Sequence, residues 1–204
     1  EAHLRAGVAI YNAGGYHAAH DAWEDHWLDL EAGTDDERFL HGLIQFTAAV
    51  HHVANGNWAG ATGLAQSATD HLAGLPSPYR GVDLEPVRRH LAAVAADAEA
   101  TATEPPPQLT HDGQAIEPVD LEFEAAAVAA AVLAEEVDAY DESVVEDAVR
   151  FTSDGDGGGR FVALLMDFVA EPDRRALVYT RLEEHVRRRR AEVRDVEGLF
   201  EDRE

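Results

Sequence analysis

Three consecutive prolines at positions 105, 106 and 107 divide the chain into two long stretches. Proline lacks a backbone N–H and clashes with the preceding turn, so no helix can run through this triplet. On both sides, apolar residues recur three or four positions apart, which is the periodicity of amphipathic α-helices. We therefore predict an all-α helical bundle with a helical domain at residues 1–104, a Pro-rich linker or hairpin at 105–119, and a C-terminal helical unit at 120–204.

The linker carries a turn signal. Asp112 and Gly113 follow one another and are flanked by Leu109, Ala115 and Ile116. Asp-Gly between apolar residues is typical of a tight hairpin turn. The sequence therefore predicts one small β-hairpin between the two helical units.

The charge of the chain limits its partners. The 204 residues include 40 Asp+Glu and 16 Lys+Arg, for a net charge of −24, and every basic residue is arginine. Such a surface repels phosphate backbones and anionic lipid surfaces, which excludes nucleic acid and membranes as partners. The chain has no cysteine, so disulfides and Cys-ligated zinc are also excluded.

The same composition indicates an environment. Many acids without lysine resemble the composition of cytoplasmic proteins from extreme halophiles, in which salt screens the self-repulsion of the surface. The first residues lack the apolar core of a signal peptide, and no apolar run reaches the length of about 18 residues that a membrane span needs. We therefore expect a halophilic, cytoplasmic protein.

Histidines are concentrated on the second and third predicted helices, which a short loop joins as antiparallel neighbours. Residues three or four apart share a helix face, so an acid or an amide lies beside several of these histidines. We expect a polar cluster where the two helices meet, and its members are His20, Asp21, Glu24, Gln45 and His52.

This cluster has three interpretations. Buried His, Glu and Gln can satisfy one another and fix the packing of two helices, which is a structural role. The same groups can bind a divalent metal ion, with His20, Glu24 and His52 as candidate ligands, or act as a general base with its orienting partner. The third interpretation is a pH-dependent interaction surface. The Glu-x-x-His motif of ferritin-like centres is absent, so a di-iron site is disfavoured.

Other conspicuous residues have simpler interpretations. Trp23 and Trp27, one turn apart, are predicted to be structural aromatics of the core or an interface. The four arginines at 187–190 lie near the end of the last helix, where cations complement the helix dipole and glutamates are close enough to pair with them. We therefore predict ion pairs for these arginines.

Four segments follow one another within residues 11–75: Tyr16-His17-Ala18-Ala19-His20-Asp21-Ala22-Trp23-Glu24-Asp25-His26-Trp27, Gly42-Leu43-Ile44-Gln45, His51-His52, and Gly56-Asn57 followed by Gly60-Ala61. Together they resemble the DUF309 family of small helical proteins of unknown function. The resemblance implies an all-α bundle for the first unit and selects His20, Glu24, Gln45 and His52. Ala18 stands where the family pattern has a glutamate, and Asp21 replaces a second one.

The resemblance supplies no activity, so function is predicted from the residues. Helices rich in Trp and Ala without a complete catalytic motif favour a self-associating binding or scaffold module, and hence a homo-oligomer. The alternative is a metal-dependent hydrolase or related enzyme. In it His20, Glu24 and His52 hold a divalent metal ion or form a base with its orienter, and Gln45 polarises the substrate.

Overall fold

The computed structural model describes residues 1–153 and 158–201. The chain is all-α with one small hairpin, which confirms the predicted fold class. It divides into two compact units, Glu1–Ala129 and Ala130–Glu204. Within the described residues, no helix is long and apolar enough to cross a membrane.

The first unit is a bundle of consecutive helices. They are α1 (Ala2–Asn12), α2 (Tyr16–Leu28), α3 (Asp35–Ala54), α4 (Trp58–Leu72), α5 (Leu84–Ala96) and the single turn α6 (Ala98–Thr101). The longest of them, α3, packs against α2 on one side and α4 on the other. Residues that position the site therefore lie on α2 and α3, at the centre of the unit.

Helix α3 begins where the sequence signals a helix start. The Thr34 side chain accepts a hydrogen bond from the Glu37 backbone N–H at 3.2 Å, and Asp35, Asp36 and Glu37 fill the first turn. A hydroxyl cap satisfies one of the otherwise unpaired N–H groups, and acids complement the positive end of the helix dipole. The apolar face of α3 then carries fully buried Phe39 and Phe46 into the core.

Trp23 joins α2 to α1. Its ring is fully buried, and its Nε1 donates to the Leu4 carbonyl oxygen at 3.3 Å. Gly7 faces this ring so closely that a Cβ there would overlap it. Trp23 is thus part of the core, and glycine is required at position 7 because the indole occupies the space of a side chain.

The hairpin consists of β1 (Thr110–His111) and β2 (Gln114–Ala115), paired antiparallel. Asp112 and Gly113 both have positive φ, 51° and 77°, which matches the tight turn that Asp-Gly predicts. The segment belongs to the first unit. Asn12 of α1 donates to the carbonyl oxygens of Leu109 and Ile116, at 2.9 and 3.0 Å, and accepts from the Leu109 N–H at 2.9 Å.

The second unit contains α8 (Glu142–Phe151), α9 (Gly158–Ala170) and α10 (Arg175–Glu201), which contact one another. The boundary between the units falls inside α7 (Phe123–Glu135). Arg190 pairs with Asp147 and donates to the Ser143 carbonyl oxygen at 2.9 Å, and Arg189 pairs with Glu192 at 3.0 Å. Ion pairing is therefore confirmed for these two arginines of the 187–190 run.

Candidate functional site

Helices α2 and α3 meet along a seam that is polar at both ends. The short loop 29–34 joins the helices, and Gly33 in it has a positive φ of 81°. Near the loop, the rings of Trp27 and His41 have centroids 4.5 Å apart. At the far end, His17 and His51 have centroids 6.0 Å apart. The histidines of the two helices thus form two groups separated along one seam.

The far end holds a cavity of about 180 Å³, which we name the histidine cleft. Its lining residues are Tyr16, His17, His20, Ala48, His51 and His52. The cleft has room for a small ion with a few water molecules. Burial raises the pKa of Tyr16, so its hydroxyl remains a protonated donor at neutral pH.

Asp21 orients two of the cleft histidines. Its Oδ1 lies 2.8 Å from Nδ1 of His20, and its Oδ2 lies 3.1 Å from Nδ1 of His17. Burial disfavours the charged carboxylate, but the hydrogen bond from His20 and the charges of both histidines outweigh this, and the pKa of Asp21 is lowered. An ionised Asp21 accepts the Nδ1 proton of His20, so the Nε2 of the neutral ring carries a lone pair.

Glu24 completes a group of possible metal ligands. His20, Asp21 and Glu24 each offer a ligand atom within 4.8 Å of the other two, and all three residues are half-buried. Imidazole nitrogen and carboxylate oxygen are ligands of zinc and other first-row metals. A histidine whose other nitrogen donates to a carboxylate is also the usual arrangement at metal sites, because the carboxylate fixes the ring and its tautomer.

His52 and Gln45 lie apart from this group in different ways. His52 lines the same cleft as His20, and its Nδ1 lies 2.8 Å from the Asn57 side-chain nitrogen. Gln45 points to the other end of the seam, where its Nε2 lies 2.9 Å from Nε2 of His41. Four of the five predicted residues therefore lie at or beside the cleft. The fifth, Gln45, is hydrogen-bonded to His41 instead.

The loop end of the seam forms what we name the stacked cluster: Trp27, Glu37, His41, Gln45 and His71. The His41 ring lies 4.5 Å from the Trp27 ring and 3.9 Å from the His71 ring of α4. Its Nδ1 lies 3.4 Å from Oε1 of Glu37, which also accepts a 2.8 Å hydrogen bond from Trp27 Nε1. Three helices are thus tied together through His41.

The electrostatics of the stacked cluster favour fixed charge states. The hydrogen bond from Trp27 is the main cause of a lowered pKa of Glu37, which therefore stays ionised. Burial is the main cause of a lowered pKa of His71, and the charge of His41 adds to it. Gln45 Oε1 is buried, and no donor reaches it from the described residues.

Sequence reasoning missed Glu37 and His71. Glu37 lies one turn before His41 on the same face of α3, so the i,i+4 spacing could have linked the two residues. His71 had no such signal, because the face of α4 that meets α3 is decided by packing between helices.

The part of the chain that contains the cleft is similar to a known family. The model of the family DUF309, described as a domain of unknown function, matches residues 4–64, and this confirms the resemblance seen in the sequence. The matched segment contains all the residues that line the histidine cleft, whereas His71 lies beyond it.

A protein of Aquifex aeolicus (strain VF5), described as an uncharacterized protein, is 26% identical over 109 residues. The match covers 53% of this chain and 32% of the relative, so the chain spans about a third of the relative's length.

Proposed function

We propose that the histidine cleft binds a divalent transition-metal ion through His20 and Glu24, with Asp21 as the group that orients His20. The observation that carries this proposal is the convergence of one imidazole and two carboxylates to within 4.8 Å beside a cavity of about 180 Å³. Within residues 1–153 and 158–201, Nε2 of His20 has no hydrogen-bond partner, so its lone pair is available to a metal.

A metal ion held by few protein ligands supports hydrolytic chemistry. Such an ion retains water in its open positions, and it lowers the pKa of that water so that a nucleophile forms near neutral pH. The cleft would bring a small substrate beside the ion, and a half-buried site excludes part of the bulk solvent. The proposed activity is therefore that of a metal-dependent hydrolase, with His20 and Glu24 as ligands.

Metal titration tests the proposal. The protein is purified without a metal-affinity step, stripped with a chelator and titrated with Zn²⁺ and Co²⁺ by calorimetry in molar KCl. We expect one ion per chain and a loss of about 100-fold in affinity in His20→Ala. His26→Ala is the matched control, since His26 lies on the same helix and stacks on His3 at 5.5 Å, away from the cleft. Equal affinity in wild type and His20→Ala would refute the proposal.

A second candidate function is self-association, which the sequence favoured. Leu28 at the end of α2 is 67% exposed. Leu30, two residues later, lines a cavity of about 340 Å³ whose wall is apolar at Leu4, Phe39 and Leu40 and charged at Glu1, Asp36 and Arg80. A second copy of the chain that covers this surface would bury both leucines. Sedimentation in molar salt should then show a dimer that Leu28→Ser weakens, and a monomer at every concentration would rule this function out.

A further inference from the structure

The protonated nitrogen of each histidine on the α3 side of the cleft is fixed by an asparagine. Asn57 caps α4, and its Oδ1 accepts the Gly60 N–H at 3.1 Å, which sets the orientation of the amide. The amide nitrogen therefore faces Nδ1 of His52 at 2.8 Å. Because an amide nitrogen can only donate, Nδ1 of His52 accepts, and the proton of the neutral ring lies on Nε2.

His51 is fixed by the same logic. The side-chain nitrogen of Asn55 donates to the His51 carbonyl oxygen at 2.9 Å, which identifies it as the donor end of the amide. The same nitrogen lies 3.1 Å from Nε2 of His51. Nε2 of His51 therefore accepts, and its proton lies on Nδ1. Within the described residues, neither Nδ1 of His51 nor Nε2 of His52 has a hydrogen-bond partner.

The two sides of the cleft therefore differ in their hydrogen-bonding character: the α2 side presents an acceptor nitrogen and the α3 side presents donors. On α2, Asp21 accepts the Nδ1 proton of His20 and leaves a lone pair on Nε2, which suits a metal ion. On α3, the asparagines leave an N–H group on each ring, and two N–H groups suit an anionic oxygen. The rings of His51 and His52 have centroids 6.2 Å apart, and both residues line the cleft.

We propose that His51 and His52 form an oxyanion-binding half of the cleft, and that the substrate of the metal site carries a small anionic oxygen group, a phosphate or a carboxylate. The statement about the substrate rests on the proposed metal function. The volume of about 180 Å³ is enough to admit a group of this size.

The surrounding carboxylates make this half-site depend on the metal. Asp21 and Glu24 lie beside the cleft, and the whole chain carries a net charge of −24, so an anion is repelled from the metal-free protein. A divalent ion on His20 and Glu24 offsets this repulsion at short range. Anion binding should therefore be strong only when the metal is bound.

Substitution at Asn57 separates this role from a structural one. Asn57→Asp keeps a good helix cap, but its carboxylate accepts a proton from Nδ1 of His52 and moves the lone pair to Nε2. The N–H donor is then lost while the fold is kept. A ¹⁵N spectrum of the metal-free protein reports the tautomer of His52 directly: a proton on Nε2 in the wild type and on Nδ1 in Asn57→Asp.

The binding test uses inorganic phosphate and, in a parallel arm, acetate, titrated into Zn²⁺-loaded protein. We expect His52→Ala and Asn57→Asp each to weaken anion binding by about tenfold or more, because each variant loses a hydrogen bond to a charged group. Their Zn²⁺ affinity should not fall, and His26→Ala should match the wild type. The arm that binds more tightly identifies the substrate as a phosphate or a carboxylate.

The two proposals fail in different ways. If Zn²⁺ binds but phosphate and acetate do not, or if neither cleft variant weakens them, the oxyanion half-site is wrong and the metal site stands. If Zn²⁺ does not bind, the metal site is wrong, and the ¹⁵N spectrum of the metal-free protein still tests the half-site. A proton on Nε2 of His52 in the wild type supports the half-site, and a proton on Nδ1 overturns it.

Discussion

The two ends of the α2–α3 seam contain the same kinds of residue but differ in what their atoms contact. In the stacked cluster, both ring nitrogens of His41 have partners, and Trp27 and His71 pack against the ring. At the histidine cleft, Asp21 occupies one nitrogen of His20, and asparagines occupy one nitrogen each of His51 and His52, while these rings border a cavity. A histidine beside an acid is therefore a functional candidate only where a ring nitrogen remains available.

The largest effect should come from breaking the stacked cluster. Trp27→Ala removes the ring that packs on His41 and the donor to Glu37, so we expect the free energy of unfolding to fall by about 3 kcal/mol. Metal affinity should stay unchanged. Chemical denaturation in molar KCl measures the loss. Leu28→Ala on the same helix, at an exposed position, should cost no more than about 0.5 kcal/mol.

A direct comparison of two histidines sharpens the contrast. His41→Ala removes two ring contacts and leaves half-buried Gln45 without its partner, so it should cost about 2 kcal/mol of unfolding free energy. His20 lies beside a cavity, so His20→Ala should lower the unfolding free energy by less than about 1 kcal/mol. Equal costs in the two variants would contradict the division into a structural end and a binding end.

Asp21→Asn tests orientation within the cleft. The amide cannot accept protons from His17 and His20 as the carboxylate does, so the tautomer of His20 is no longer fixed and metal affinity should fall by about tenfold. Acid stability should change as well. The pKa of Asp21 is lowered by folding, so its stabilising contribution is present above the unfolded pKa and is lost as pH falls through the folded one. The unfolding free energy of Asp21→Asn should therefore decrease less than that of the wild type over this pH range.

The smallest effect is the pH dependence of the stacked cluster. The pKa of His71 is lowered in the folded state, so the unfolded chain takes up a proton first as pH falls through about 6.5. Unfolding free energy should therefore decrease between neutral pH and the folded pKa. His71→Gln should flatten this slope in thermal unfolding curves, and a slope equal to that of the wild type would show that His71 does not contribute.

Local features can be predicted from the sequence because they depend on neighbours within four residues. The Asp112-Gly113 turn was predicted in this way, and the Thr34 cap and the approach of His20 to Asp21 and Glu24 are equally local. Side-chain contacts between different helices were harder to predict from the sequence. Gln45 was expected beside His20, but it bonds to His41 one turn away on its own helix.

Long-range packing accounts for the remaining differences. The Pro-rich segment looked like a linker, yet Asn12, about a hundred positions earlier in the chain, binds its backbone on both sides of the hairpin turn. His71 joins the stacked cluster because of how α4 packs on α3. Neither contact has a local pattern, since each depends on which faces the folded helices present to one another.

The most direct test of metal binding at the cleft is a ¹⁵N spectrum of the histidine rings during titration with Zn²⁺. The account predicts that one equivalent of Zn²⁺ shifts the Nε2 resonance of His20 as its lone pair binds the ion. The resonances of His41 and His71 should stay in place. Shifts that appear first in the stacked cluster, or an unchanged His20 at saturation, would contradict the account.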